Sequence, residues 1–319
     1  MTETSIPQST RSKAASPGSG YDPRRWALHT PYTDPGRYAD LLSAVPPRIP
    51  ELSAIARNLI IHYRASGFEL PDETKGDINA RWIAAILDLD QQRHPGPLVT
   101  ERDPLTRVQG CCRDHSLFGV AVLRQHKIAA RIRYGFSHYF APDYNFDHVI
   151  VETWLPEENR WLRFDPEISG PMERLATPQD IPHGPDAPFV TAAEAWQAYR
   201  QGSIDPQLYG VAPGLPIAGP WFMQGAVFYD AAFRAGIELL LWDGWAPLSG
   251  PDGPTEEEIR LADEFSEMII AADAGDVDAE NRLIDRMRTD RKVGPGATVR
   301  TDSPYGDPTV ITDLTRVPA

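Results

Sequence analysis

Cysteine is scarce in this chain of 319 residues: two are present, adjacent at Cys111 and Cys112, so no ordinary structural disulfide is expected. That pattern fits a reducing compartment. No segment approaches the ~18 uninterrupted apolar residues of a membrane-spanning helix, and the N-terminal region lacks an apolar core of signal-peptide length. The expectation is a cytoplasmic protein that neither spans a membrane nor is exported. Basic clusters are missing as well: 31 Lys and Arg stand against 45 Asp and Glu, for a net charge of −14. Without a basic patch to meet phosphates, nucleic acid is excluded as a partner. No second His or Cys pair stands at a zinc spacing and no Asp-rich calcium loop occurs, so neither a metal nor a cofactor is expected. No internal repeat is found.

Most of the negative charge is local. Between Pro251 and Glu280 eleven acidic residues face Arg260 alone, which reads as the solvated face of an acidic helical stretch. The organisation expected is a disordered tail over 1–25, a catalytic domain over 26–250, an acidic helical extension over 251–290 and a flexible tail over 291–319. Helices are predicted over Glu51–Ser66, Asp77–Gln91, Thr191–Gln201 with Thr191 as N-cap, Trp221–Leu241, Glu256–Ala272 and Ala279–Arg288.

The chemistry gathers in the middle of the chain. Gly110-Cys111-Cys112-Arg113-Asp114-His115, then Asp147-His148, then Trp161-Leu162-Arg163-Phe164-Asp165-Pro166 supply a thiol, an imidazole and a carboxylate in order. Leu117 to Leu123 make the helix after Cys112 apolar on nearly every side, which predicts a buried helix. A thiol in its first turn sits where the helix dipole favours a thiolate, and a nearby imidazolium favours it further. Ile128–Phe136, His148–Leu155 and Arg160–Phe164 read as strands, the last two joined by a turn at Pro156-Glu157-Glu158-Asn159. If these two are antiparallel neighbours, His148 lies opposite Asp165 to within about one or two residues of register. Asp147 is the alternative acid, but successive strand residues point to opposite faces, which turns it away from that partnership.

These segments, together with Leu123 to Arg131, Gly135-Phe136 and His148 to Glu152, resemble the core of the transglutaminase-like superfamily, in particular its bacterial stand-alone members. The resemblance covers roughly Gly110 to Glu167. It implies an α+β, papain-like fold in which a buried nucleophile helix packs on an antiparallel sheet, with additional C-terminal helices. It also implies Cys112 as nucleophile, His148 as base and Asp165 as third member; the spacing from Gly110 in the family pattern selects Cys112 over Cys111. Many members carry an aromatic residue one or two positions after the histidine. Val149 and Ile150 stand there instead, so an aliphatic wall beside the imidazole is expected.

For the oxyanion of a tetrahedral intermediate, the backbone N–H of Cys112 is the first candidate donor and the Gln109 side chain a second. Trp242 and Trp245 follow the core and could close a substrate cleft. The function expected is acyl transfer through a thioester on a small amide, amino-acid or peptide-like substrate, as an amidase, a peptidase or an amide-forming acyltransferase. A protein-directed transglutaminase and a non-catalytic binding scaffold are the alternatives. The oligomeric state is not legible.

Overall fold

The computed structural model describes residues 22–184 and 186–316; most of the tail expected at 1–25 lies outside the described residues. In chain order the helices are α1 (Ala39–Ser43), α2 (Ile49–Leu59), α3 (Ile83–Arg93), α4 (Cys112–Gln125), α5 (Ala192–Arg200), α6 (Pro220–Arg234), α7 (Glu256–Asp273) and α8 (Val277–Thr289). The strands are β1 (Ile60–His62), β2 (Val108–Gly110), β3 (Ala130–Ala141), β4 (Tyr144–Leu155), β5 (Arg160–Phe164), β6 (Phe189–Thr191), β7 (Tyr209–Gly210), β8 (Asp243–Gly244), β9 (Thr298–Thr301) and β10 (Val310–Asp313).

The central sheet runs in the order β5-β4-β3-β6, all antiparallel, with β7 added to β4. Its α4-facing side carries Ile132, Phe136, Val149, Val151 and Phe164, packed with Leu117, Phe118 and Val120 of that helix. Every residue of α4 from Cys112 to Arg124 is buried, as its apolar sequence requires. This is the α+β architecture of a buried helix on an antiparallel sheet, with α7 and α8 added beyond it. Gly135 lies across from His148 on β3, and a side chain there would collide with Val190 of β6. The absence of a Cβ lets the edge strand close against the sheet where the histidine projects.

Several elements differ from the sequence expectation. The helix predicted to continue to Ser66 stops at Leu59, because the β-branched Ile60 and Ile61 pair in parallel with Val108 and Gln109. The helix predicted over Asp77–Gln91 begins only at Ile83, after a 3-10 turn over Asp72–Asn79. The long helix expected to reach Leu241 ends at Arg234: Gly236 takes a left-handed conformation (φ 77°), and the N–H of Ile237 turns back to the carbonyl of Ala232. Residues 291–316, read as part of a tail, instead supply β9 and β10, which join β8 in a second sheet. The buried pair of Arg81 with Asp243 (2.6 and 2.9 Å), which also engages Thr301, ties that sheet to the core.

The acidic stretch is only partly a solvated face. Arg131 and Arg133 on β3 and Arg163 on β5 converge on Glu152 of β4 at 2.8 to 3.1 Å. One carboxylate cannot balance three buried guanidiniums. Asp230 and Asp273 also bind Arg133 (2.9 and 3.0 Å), while Asp273 and Glu280 hold the buried Arg234 (2.6 and 2.7 Å). Two acids of the 251–280 run thus neutralise arginines of the core.

Candidate active site

Cys112 is the first residue of α4. The preceding Cys111 is the N-cap, and its N–H donates to the Asp114 carboxylate at 2.8 Å. His148 comes from β4, and Asp165 follows β5 directly. Nε2 of His148 lies 2.8 Å from Oδ2 of Asp165. The same oxygen accepts the Tyr139 hydroxyl at 2.7 Å, and the other carboxylate oxygen accepts the Glu167 N–H at 2.9 Å. Burial pushes the Asp165 carboxyl up, but His148 and these hydrogen bonds outweigh it and hold it below the usual range. The His148 imidazole feels the reciprocal balance: burial lowers its pKa, and the charge of Asp165 more than reverses this.

With Nε2 engaged, Nδ1 is the ring nitrogen left for the thiol. The Cys112 sulfur, a ring nitrogen of His148 and a carboxyl oxygen of Glu167 all lie within 4.8 Å of one another. Cys111, though adjacent and also buried, does not join this group. The Cys112 thiol is pushed well above its ordinary value by the hydrogen bond with Cys111, by burial and by the Glu167 and Asp147 carboxyls. Local acids and desolvation thus oppose the effect of the helix dipole on this thiol.

The wall of the imidazole is also corrected. Rings of Phe140 and Tyr139 stand edge-on to His148, with centroids 5.0 and 6.0 Å away. The aromatic contact absent from the residues after His148 is thus supplied by β3. Asp147 points, as expected, to the face opposite His148 and takes no part in its pairing with Asp165. It lies on the helix side of the sheet, takes the Tyr134 hydroxyl at 3.0 Å, and borders the cleft that opens beyond the first turn of α4. Burial raises its pKa to about 6, against the lowering effect of Tyr134.

That cleft encloses about 1070 Å³ and is lined by Cys111, Cys112, His148, Glu167 and Asp147, with aromatic residues of α6 and of the segment after it. Trp242 and Trp245 both line it. Their indole N–H groups are fixed on Asn79 (3.1 Å) and on the Val293 carbonyl (2.9 Å). Gln109 does not border the cleft. Its side-chain N–H groups serve the Pro71 carbonyl (3.0 Å) and Thr74 (2.7 Å), and its carbonyl accepts from Tyr305, so it is a structural anchor and not an oxyanion donor. Cys112 opens α4, where backbone N–H groups lack intrahelical acceptors.

Glu167 is the site residue that sequence reasoning missed. The β4–β5 register, continued past Phe164, sets it across from His148, although Pro166 ends the strand before it gets there. Among the described residues, Cys112, His148 and Glu167 are also the set that could hold a metal ion. A cation there would occupy the thiol and imidazole that cysteine chemistry needs. Glu152, on the same strand as His148, is spent on the arginines of the sheet.

Among solved structures, the chain is similar to a protein from Cytophaga hutchinsonii provisionally named a cysteine protease. The identity is 16%, the match covers 52% of this chain and 51% of that one, and the TM-score is 0.31. The chain thus spans about half the length of that protein. No curated protein matches it. The transglutaminase-like superfamily model matches residues 63–166, an interval that contains Cys112, His148 and Asp165. The chain therefore carries, over residues 63–166, a domain of the transglutaminase-like superfamily.

Proposed function

We propose that this protein is a cysteine-dependent acyl-transfer enzyme in which Cys112 is the nucleophile, His148 the base and Asp165 the group that orients it. The observation that carries this reading is the alignment of sulfur, imidazole and carboxylate, with Asp165 on Nε2 of His148 and the Cys112 sulfur within 4.8 Å of a ring nitrogen. His148 removes the thiol proton as the sulfur attacks the substrate carbonyl. The negative oxygen that forms is met by the first-turn N–H of Cys112. Collapse breaks the bond to the leaving group, which takes the proton from His148, and leaves a thioester on Cys112. Water then yields an acid, or an amine yields an amide. In either case His148 takes a proton from the attacking group and returns it to the sulfur.

A small or peptide-like substrate is favoured because Cys112 and His148 are only 5% and 3% exposed, at the base of a walled cleft. A folded protein substrate would need an open groove to reach them. The catalytic unit is proposed to lie within 26–250. The test is acylation of the purified protein by activated esters, mapped by mass spectrometry, followed by water alone or by added amines. Acyl mass on Cys112 that is absent in Cys112→Ala supports the reading. A folded protein that takes up no acyl group, or takes it elsewhere, overturns it.

A further inference from the structure

We infer that the acyl donor carries a bulky apolar group and no carboxylate near its reacting carbonyl, an inference that rests on the acyl-transfer reading above. The first observation is what the cleft walls present. Rings follow one another from Tyr134 to Tyr229 (5.7 Å between centroids) and from Tyr229 to Trp245 (5.0 Å), while Trp242 stands against Tyr63 (6.1 Å). The polar atoms of four of these rings are already committed to protein. Tyr134 donates to Asp147, Tyr229 to the Asp243 carbonyl (2.6 Å), Trp242 to Asn79 and Trp245 to Val293. What these four rings present to a ligand is ring carbon, extended by Phe222, Leu241 and Leu248; the Tyr63 hydroxyl and the unpartnered Ser249 hydroxyl are polar points in the same lining.

Such a wall offers few hydrogen bonds to a sugar or to the polar side chains of a peptide, whose burial without partners would cost free energy. It rewards apolar surface, at about 0.8 kcal/mol for each methylene removed from water. The volume points the same way. About 1070 Å³ is at the upper end for small-molecule sites and far exceeds an acetyl group. Two arginines also line the cleft: Arg300 is paired with Asp302 at 2.7 Å, and Arg64 lies over the Tyr63 ring with its charge unpaired among the described residues.

The second observation concerns the reacting end. Oε2 of Glu167 is buried with no hydrogen-bond partner, and this carboxyl group lies within 4.8 Å of both the sulfur and the imidazole. Asp147 adds a second acid to the same cleft. A substrate carboxylate beside the scissile bond would meet like charge in a desolvated setting. Glu167 is thus a specificity-determining residue that rejects anionic donors.

The experiment compares p-nitrophenyl esters of acetic, octanoic, phenylacetic and succinic acid on the full-length protein. Acylation of Cys112 is followed by intact mass and normalised to each ester's uncatalysed hydrolysis. Octanoyl and phenylacetyl are expected to react about tenfold faster than acetyl or more, as several buried methylenes allow, and succinyl more slowly than acetyl. Trp242→Ala, or the milder Phe222→Leu, lowers the octanoyl-to-acetyl ratio, and Glu167→Gln raises the succinyl-to-acetyl ratio. Acylation of Cys112 at equal rates by acetyl and octanoyl, or fastest by succinyl, overturns this inference and leaves the acyl-transfer reading intact. If no ester acylates Cys112 in the folded protein, the acyl-transfer reading itself falls.

Discussion

The imidazole of His148 reaches Asp165 diagonally. The β4–β5 register sets Phe164 across from Val151, so the residue after it falls beside Ile150, yet Nε2 of His148 and Oδ2 of Asp165 are 2.8 Å apart. A diagonal neighbour on one face is within reach of a ring side chain. Tyr139 and the Glu167 N–H hold the carboxylate from other sides, so its position does not depend on the histidine alone.

Cys112→Ala is expected to abolish turnover and acylation, whereas Cys111→Ala keeps most of both, because Cys112 is the thiol grouped with His148. Alkylation of Cys112 by iodoacetamide should accelerate by about tenfold per pH unit above pH 7, since the thiolate is the reactive form and the pKa is raised. A rate that is flat between pH 6 and 9 would show a preformed thiolate and refute the raised pKa.

His148→Ala is expected to remove activity as completely as Cys112→Ala, while Asp165→Asn retains on the order of 10–100-fold more than either, as an orienting group costs least to lose. Asp165 holds the His148 pKa up against burial, so Asp165→Asn should also lower the imidazole titration seen by NMR. An unmoved titration would mean that the contact carries no charge coupling.

Asp147 gives a pH dependence of opposite sign to that of an ion-paired carboxylate. Burial raises its folded-state pKa to about 6, above the usual 3.8, so the folded protein binds the extra proton between those values. Its contribution therefore turns against folding as pH rises through that window, and stays unfavourable above it. Asp147→Asn should stabilise the protein at pH 7 by about 1–2 kcal/mol, less than the full shift implies because the cleft admits solvent. It should have little effect near pH 4. Denaturant titrations at the two pH values check this, and equal effects at both would refute it.

Asp273→Ala leaves Arg133 and Arg234 short of a buried partner and should destabilise the protein by roughly 3 kcal/mol. Glu257→Ala, on the exposed side of the same helix and paired only with Arg260, should leave the denaturation midpoint unchanged. Equal effects of the two would mean that the acidic stretch acts only through its net charge.

Local chemistry was enough for part of this molecule. The buried helix after Cys112, the turn at Pro156–Asn159 into β5 and the Thr191 cap with its reciprocal Glu194 bond are written in apolar periodicity, turn residues and cap residues that act over a few positions. So are the thiol, the imidazole and the acid, whose order along the chain is legible without a fold. What only the tertiary structure decided depends on partners far apart in sequence. Ile60–His62 becomes a strand because Val108–Gly110 lies beside it, and residues beyond Arg291 become a sheet because Arg81 holds Asp243. The aromatic wall of His148 comes from another strand, and Asp273 of the C-terminal run serves arginines more than a hundred positions away. Glu167 enters the site because a register set at Val151 carries past a proline. Each of these is settled by the free energy of pairing a strand edge or a buried charge, and that partner is known only once the chain has folded.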